Sequence, residues 1–101
     1  MDKTILSIGL NDKDLRCQVI PTKTAMAMVT GRVTDIGGGT ILQGVGVYTH
    51  DDGEVVRENT IQVTLYDIDF NTIKGLVSVL KEELNQESIV VEVQAVNSMF
   101  L

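Results

Sequence analysis

The sequence has few of the residues that small enzymes commonly use for catalysis: it contains one cysteine, Cys17, and one histidine, His50. A single cysteine cannot form an internal disulfide framework, and a thiolate nucleophile at Cys17 would need a paired histidine. Neither a G-x-S-x-G nor an H-E-x-x-H motif is present. We therefore predict that the protein is not an enzyme, with no catalytic residue and no cofactor.

Positive charge and long apolar runs are also scarce. Eight Lys and Arg residues against fourteen Asp and Glu residues give a net charge of −6, which argues against general affinity for nucleic acid or anionic membranes. No apolar run approaches the roughly 18 residues of a membrane span, and the N-terminus has no signal-peptide pattern. We predict a cytoplasmic protein, in the host-cell cytoplasm if it is viral, with no nucleic-acid and no membrane partner.

The longest feature is a predicted β-hairpin from Thr40 to Tyr66. Its turn, His50-Asp51-Asp52-Gly53, ends in Asp-Gly, which is a strong hairpin signal between apolar runs. Gly44 and Gly46 weaken the first arm, and they indicate either a bulge or a place where a ligand or a partner backbone comes close.

A metal site beside His50 is the alternative interpretation of that turn, because three carboxylates lie near it in the sequence. Zinc normally takes three or four His or Cys ligands, and Asp-Asp-Gly is typical turn chemistry. We predict no metal here. The carboxylates are Asp51, Asp52 and Glu54.

Periodicity places the other elements on either side of the hairpin. Two apolar stripes at helical spacing predict two helices. The first begins at Pro21 and ends at three glycines. The second is capped by Asp69 or Asp67 and ends at Asn85. The predicted elements are a strand over Lys3–Ile8, a helix carrying Met26, Val29, Val33 and Ile36, a helix carrying Ile73, Leu76, Val77, Leu80 and Leu84, and a strand over Ile89–Val96.

The order β-α-β-β-α-β in 101 residues predicts one domain, residues 1–101. We expect a ferredoxin-like α+β fold, with an antiparallel sheet and both helices on one face. Another α+β meander, with a longer and more twisted hairpin, is the alternative.

Several strands are apolar on both faces. Val55 lies beside Val56, and Ile89, Val90 and Val91 follow one another. Strands of this kind are usually buried on both sides, whereas two helices can cover only one face of the sheet. We therefore expect a homo-oligomer, in which a second copy covers the other face.

Polar and aromatic residues on and after the hairpin are the candidate ligand-binding residues. Arg57 and Asn59 interrupt an apolar strand, and a guanidinium is suited to phosphate or carboxylate. Tyr48 is either a core residue or a stacking platform. Asn97 and Phe100 follow the last strand, in a segment that could reach a neighbouring subunit. The triple glycine Gly37-Gly38-Gly39 is either a helix exit or a lid over a pocket.

Three stretches resemble small phage-encoded anti-Thoeris sponge proteins, which sequester cyclic ADP-ribose isomers without degrading them. They are the run Gly9–Asp14, the His50–Gly53 turn and the run Asn85–Ser88. The resemblance implies a cytosolic, oligomeric viral protein with ligand pockets at subunit boundaries. It also implies that four residues take part in those pockets, namely Arg57, Asn59, Asn97 and Phe100. The architecture is similar to PII-type and ACT-type sensors and CutA-like trimers as well.

From these observations we predict a non-catalytic, phage-encoded binding protein that sequesters an anionic nucleotide signal, such as a cyclic nucleotide or an ADP-ribose-like molecule, to block a host immune system. The alternative is a small cytosolic regulatory oligomer that binds a metabolite or a partner protein, and the third and least favoured hypothesis is an enzyme that uses Asp, Glu or His50.

Overall fold

The elements lie where the periodicity predicts them. The computed structural model describes all 101 residues. Its elements are β1 (Asp2–Gly9), α1 (Thr22–Asp35), β2 (Thr40–Thr49), β3 (Val55–Tyr66), α2 (Phe70–Glu83) and β4 (Val90–Ala95). The strands form one antiparallel sheet in the order β2-β3-β1-β4. The predicted ferredoxin-like α+β fold is confirmed.

Helix α2 begins at a side-chain cap. The Oδ2 atom of Asp69 accepts a hydrogen bond from the Thr72 main-chain N–H at 3.0 Å, and its Oδ1 accepts one from the Thr72 hydroxyl at 2.6 Å. The Thr72 hydroxyl and then the Thr72 main-chain N–H lower the pKa of Asp69 below its ordinary value. Asp67 lies outside the helix, in a turn with φ of 56°. Asn85, with φ of 49°, follows the last turn, so Asp69 and Asn85 bound the helix as predicted.

Helix α1 begins after Pro21 without a side-chain cap. It ends at Asp35, and Ile36 is followed by two glycines whose φ angles, 113° at Gly37 and 107° at Gly38, favour residues without a Cβ. A Cβ on Gly39 would lie 2.7 Å from the Leu65 side chain, because the chain passes close to β3 before it enters β2. Neither α1 nor α2 is long and apolar enough to cross a bilayer.

The core lies between one face of the sheet and the two helices. Each large side chain that is fully buried there contributes about 1.5–3 kcal/mol relative to an exposed one. An ion pair between Arg32 and Glu83 joins α1 to α2 near the surface. The buried apolar residues are Leu6, Ile8, Leu10, Ala25, Val29, Val33, Ile61, Val63, Leu65, Ile73, Leu76, Leu80, Leu84 and Ile89.

The other face of the sheet, called here the open face, has no helix on it. The far part of the β2–β3 hairpin, residues 42–60, is called here the distal hairpin, and every second side chain of its strands lies on the open face. No residue of the distal hairpin is buried. In β3 the core side chains Ile61, Val63 and Leu65 alternate with side chains on the open face, beginning with Val56, Glu58 and Thr60.

Candidate functional site

A polar pocket of about 750 Å³ lies on the open face, where the distal hairpin meets the loop after β1. Ligand pockets commonly have volumes of roughly 300–1,000 Å³. Its floor is formed by three strands, and Glu58 of β3 lies between β1 and β2. The lining residues are Ser7, Gly9, Asn11, Asp12, Lys13, Arg16, Gly46, Tyr48, His50, Val56, Glu58, Thr60, Gln86, Glu87, Ser88 and Val90.

Gly9 leaves the space that the Glu58 side chain occupies. A Cβ on Gly9 of β1 would lie 2.4 Å from Glu58 Oε1, a distance that real contacts do not reach. On the other side, Gly46 is the register partner of Glu58 in β2; a Cβ there would lie 2.9 Å from Thr60 Oγ1 and in ordinary contact, at 3.7 Å, with Glu58 Cγ. A Cβ on Gly44 would meet nothing within 4 Å. The β2–β3 register continues through both glycines without a bulge, and the approach of a ligand or a partner backbone stays a prediction.

The Glu58 carboxylate is held at one oxygen and free at the other. Its Oε2 accepts a hydrogen bond from the main-chain N–H of Asn11 at 3.0 Å. Its Oε1 accepts no hydrogen bond from the protein, and no buried side-chain oxygen lacks a partner, so Oε1 is accessible from the pocket. A carboxylate placed in this way can accept a hydrogen bond from a cationic group of a ligand.

The loop Asn11–Arg16 and the segment Gln86–Ser88 form the opposite wall. This wall carries charges of both signs, from Asp12 and Glu87 on one hand and Lys13 and Arg16 on the other. The Asn85 amide donates to Asp12 Oδ1 at 2.8 Å and is the main cause of the lowered pKa of Asp12. The loop is therefore tied to the end of α2.

Two aromatic rings lie at the distal end of the pocket. Tyr48 and His50 are arranged edge to face, with their ring centroids 5.4 Å apart. Tyr48 is 45% exposed, so it is not a core residue and its ring is accessible for stacking.

Of the five residues predicted to bind ligand, only Tyr48 lines this pocket. Arg57 and Asn59 lie on the opposite face of β3, because side chains alternate along a strand. Asn59 donates its side-chain N–H to Gln18 Oε1 at 2.7 Å. Asn97 and Phe100 lie beyond β4, and Phe100 is 95% exposed. A ligand-binding role for these four residues stays a prediction.

Sequence reasoning missed Glu58 and Gly9. The sequence indicates Arg57 and Asn59, which share one face of β3, whereas the pocket lies on the face of Glu58. The Asp-Gly turn alone does not reveal this pairing. Counting equally outward from the His50–Gly53 turn pairs Gly46 with Arg57, whereas the structure pairs Gly46 with Glu58.

Metal ligation has no support in the geometry: no group of three or more His, Cys, Asp or Glu side chains is arranged to hold an ion.

No protein-family model matches the chain, and no curated protein matches it significantly. Among solved structures, the chain is similar to a phage SAM (S-adenosylmethionine) lyase in two states. The complex with S-methyl-5′-thioadenosine matches with a TM-score of 0.60 and 25% identity, over 92% of this chain and 79% of that one. The apo state matches with a TM-score of 0.62 and 25% identity, over 92% and 78%.

A DUF3240 family protein from Shewanella baltica shares the fold alone. It has a TM-score of 0.53 and 6% identity, over 99% of this chain and 94% of that one.

These findings correct two predictions. The prediction that the protein is a non-catalytic sponge and not an enzyme is wrong, because the structural likeness is to an enzyme. That prediction relied on the absence of the G-x-S-x-G and H-E-x-x-H motifs. These motifs mark only reactions in which the protein supplies a nucleophile, a base or a metal. The phage part of the resemblance agrees with the comparison, and its sponge part does not. Over nine-tenths of its length, the chain is similar to a phage lyase that acts on SAM.

Proposed function

We propose that this protein is a phage-encoded SAM lyase and that the polar pocket is its active site. The observation that carries the proposal is the Glu58 carboxylate, held by Asn11 with one oxygen free, in the polar pocket of a chain similar to a SAM lyase.

SAM brings its own leaving group to the reaction. Its sulfonium centre leaves as a neutral thioether when the bond from sulfur to Cγ of the methionine part breaks. In the step that we propose, the substrate's own carboxylate oxygen attacks Cγ and the electron pair of the broken bond goes to sulfur. The products are S-methyl-5′-thioadenosine and homoserine lactone, and no proton is transferred. Because the carboxylate and Cγ belong to one molecule, the protein has to hold SAM in the conformation that brings the carboxylate oxygen into line with the bond that breaks.

Glu58 is suited to bind the α-ammonium group of SAM. The ammonium keeps its charge through the reaction, so an anion beside it anchors ground state and transition state alike. An anion beside the sulfonium would stabilise the substrate more than the transition state, because the positive charge on sulfur disappears. We therefore assign Glu58 to the ammonium and the exposed ring of Tyr48 to the adenine. The mixed charges of the loop wall suit a substrate that carries both signs.

A second copy covers part of the open face in this proposal. Outside the pocket, the open face carries Leu42 and Tyr66, which are 60% and 44% exposed. Of the valines that led us to expect an oligomer, Val90 lies on this face at the pocket and is 57% exposed, whereas Val55 lies on the opposite face of β3. Exposed apolar side chains on the uncovered face of a small chain favour self-association. The exposed free thiol of Cys17 supports a reducing compartment such as the cytoplasm.

Product analysis tests the proposed activity. We expect purified protein incubated with SAM to release S-methyl-5′-thioadenosine and homoserine lactone, both detected by mass spectrometry. The variant Glu58→Gln should lose about tenfold or more in kcat/KM, because a charge-assisted hydrogen bond contributes about 1.5–3 kcal/mol. The control Glu82→Gln changes an exposed glutamate of α2 outside the pocket and should behave like wild type. SAM recovered intact would contradict the proposal.

Light scattering tests the oligomer. We expect a mass above that of one 11.0 kDa chain at micromolar concentration, and a lower mass for Leu42→Asp. A monomer in both cases would show that the open face is not a contact between copies.

A further inference from the structure

Two adjacent side chains at the C-terminal end of α2 hold the loop wall of the pocket. The Asn85 amide donates to Asp12 Oδ1 at 2.8 Å and to Asp14 Oδ2 at 2.9 Å. The Gln86 amide donates to the main-chain oxygen of Asn11 at 2.8 Å. The start of the loop is therefore fixed by Gln86 and its middle by Asn85.

Gln86 differs from Asn85 in two ways: it is buried, and its partner Asn11 also binds Glu58. It is a buried polar residue, 8% exposed, and its Nε2 also donates to the Leu84 main-chain oxygen at 3.2 Å. Its partner Asn11 is the residue whose N–H holds Glu58 Oε2 at 3.0 Å. The Gln86 amide thus binds the main-chain oxygen of Asn11, and the Glu58 carboxylate binds its main-chain N–H.

We propose that Gln86 is a positioning residue for Glu58, acting through the main chain of Asn11; this rests on the proposed function, in which Glu58 binds the ammonium of SAM. Glu58 has one hydrogen bond in the protein, so the place of its free oxygen depends on where the Asn11 N–H points. The main-chain N–H groups of Leu10 and Asp12 also bind the Asn59 and Cys17 oxygens, and the bond from Gln86 to the Asn11 carbonyl is the side-chain contribution to that direction. A buried amide with two acceptors has little freedom to move, which makes it a firm support.

The two ligands of the site separate this role from a purely structural one. SAM carries the α-ammonium, whereas S-methyl-5′-thioadenosine has lost the whole aminobutyrate part. A displaced Glu58 weakens binding at the ammonium end and leaves the adenosine end unchanged. A general loosening of the pocket wall would weaken the binding of both molecules.

The experiment compares Gln86→Leu with wild type and with the control Gln43→Leu. Gln43 is an exposed glutamine of β2 that lies outside the pocket, on the opposite face of the sheet. For Gln86→Leu we expect kcat/KM for SAM to fall about tenfold, since small displacements at a reacting centre cost about that much or more. The inhibition constant of S-methyl-5′-thioadenosine should change less than about twofold, and Gln43→Leu should match wild type in both. Gln86→Met serves as a second apolar replacement if Gln86→Leu does not fold.

Three outcomes would count against the positioning role. Equal weakening of SAM turnover and thioadenosine binding would show that Gln86 only supports the wall. Unchanged SAM kinetics in a folded Gln86 variant would overturn the positioning role while leaving the lyase activity in place. A wild-type protein that neither turns over SAM nor binds it in a calorimetric titration would overturn the proposed function, and the role of Gln86 with it.

Discussion

The two ends of β3 are similar in sequence and different in surroundings. At the end covered by the helices, Ile61, Val63 and Leu65 are fully buried. At the distal end, Val55 is 59% exposed, and no residue from 42 to 60 is buried. The apolar residues of β3 therefore predict a strand at both ends, but the side chains are buried at only one of them. The packed core that stabilises the protein therefore lies at the covered end, whereas the candidate ligand pocket lies at the uncovered end.

Exposure at the distal end also explains how the site can carry a carboxylate and two glycines. A charged group on an uncovered sheet stays close to water, so it avoids most of the desolvation that burial would impose. Glycine weakens a strand, but Gly46 pairs with β3 and Gly9 lies in the central strand β1. Hydrogen bonds to the neighbouring strand β3 hold the backbone in place at both glycines.

The largest expected effect is at the covered end. Ile61→Ala should destabilise the protein by about 2–5 kcal/mol, because it opens a cavity in a packed core. Val47→Ala, at a residue that is 59% exposed, should change the free energy of unfolding by less than about 0.5 kcal/mol. Urea denaturation followed by circular dichroism measures both. A comparable loss for Val47→Ala would mean that the distal hairpin is buried against a second copy.

Local periodicity was enough to predict most of the covered end. The stripe from Ile73 to Leu84, the Asp69 cap and the αL position of Asn85 are short-range features, and each follows from residues within one or two helical turns. The site could not be predicted in the same way, because it depends on neighbours far apart in sequence. Gly9 and Glu58 are 49 residues apart and meet only because β1 inserts beside β3.

The glycine beside Glu58 gives the next largest effect. In Gly9→Ala the new Cβ would overlap Glu58 Oε1, so the flexible carboxylate has to move. We expect kcat/KM for SAM to fall about a hundredfold, since a displacement of about 1 Å can cost that much. The matched control is Gly44→Ala, where the Cβ meets nothing within 4 Å and kinetics should stay unchanged. Equal values of kcat/KM for the two variants would show that Glu58 does not bind SAM.

A smaller effect is expected at Arg57, which lies on the other face of the same strand. Arg57→Ala should change the free energy of unfolding by about 0–1 kcal/mol, as is usual for exposed charges. Because Arg57 does not line the pocket of its own chain, kcat/KM for SAM should stay within about twofold of wild type. A tenfold loss measured in the same assay would support the sequence-based prediction that Arg57 binds ligand, in a pocket completed by a second copy.

The smallest expected effect concerns acid stability and again contrasts the covered end with the distal one. The pKa of Asp69 is lowered below its ordinary value of 3.8, first by the Thr72 hydroxyl and then by the Thr72 N–H. A lowered pKa means that the folded state favours the carboxylate, so the stabilisation is complete above pH 3.8 and is lost as the pH falls through the folded value. Asp69→Ala should therefore melt below wild type at neutral pH, and the difference should shrink as the pH falls below 3.8. The matched variant Asp51→Ala lies in the hairpin turn, where the side chain makes no hydrogen bond, and its melting temperature should follow wild type throughout. A difference between Asp69→Ala and wild type that persisted unchanged into strong acid would show that the Asp69 carboxylate does not stabilise α2 through its charge.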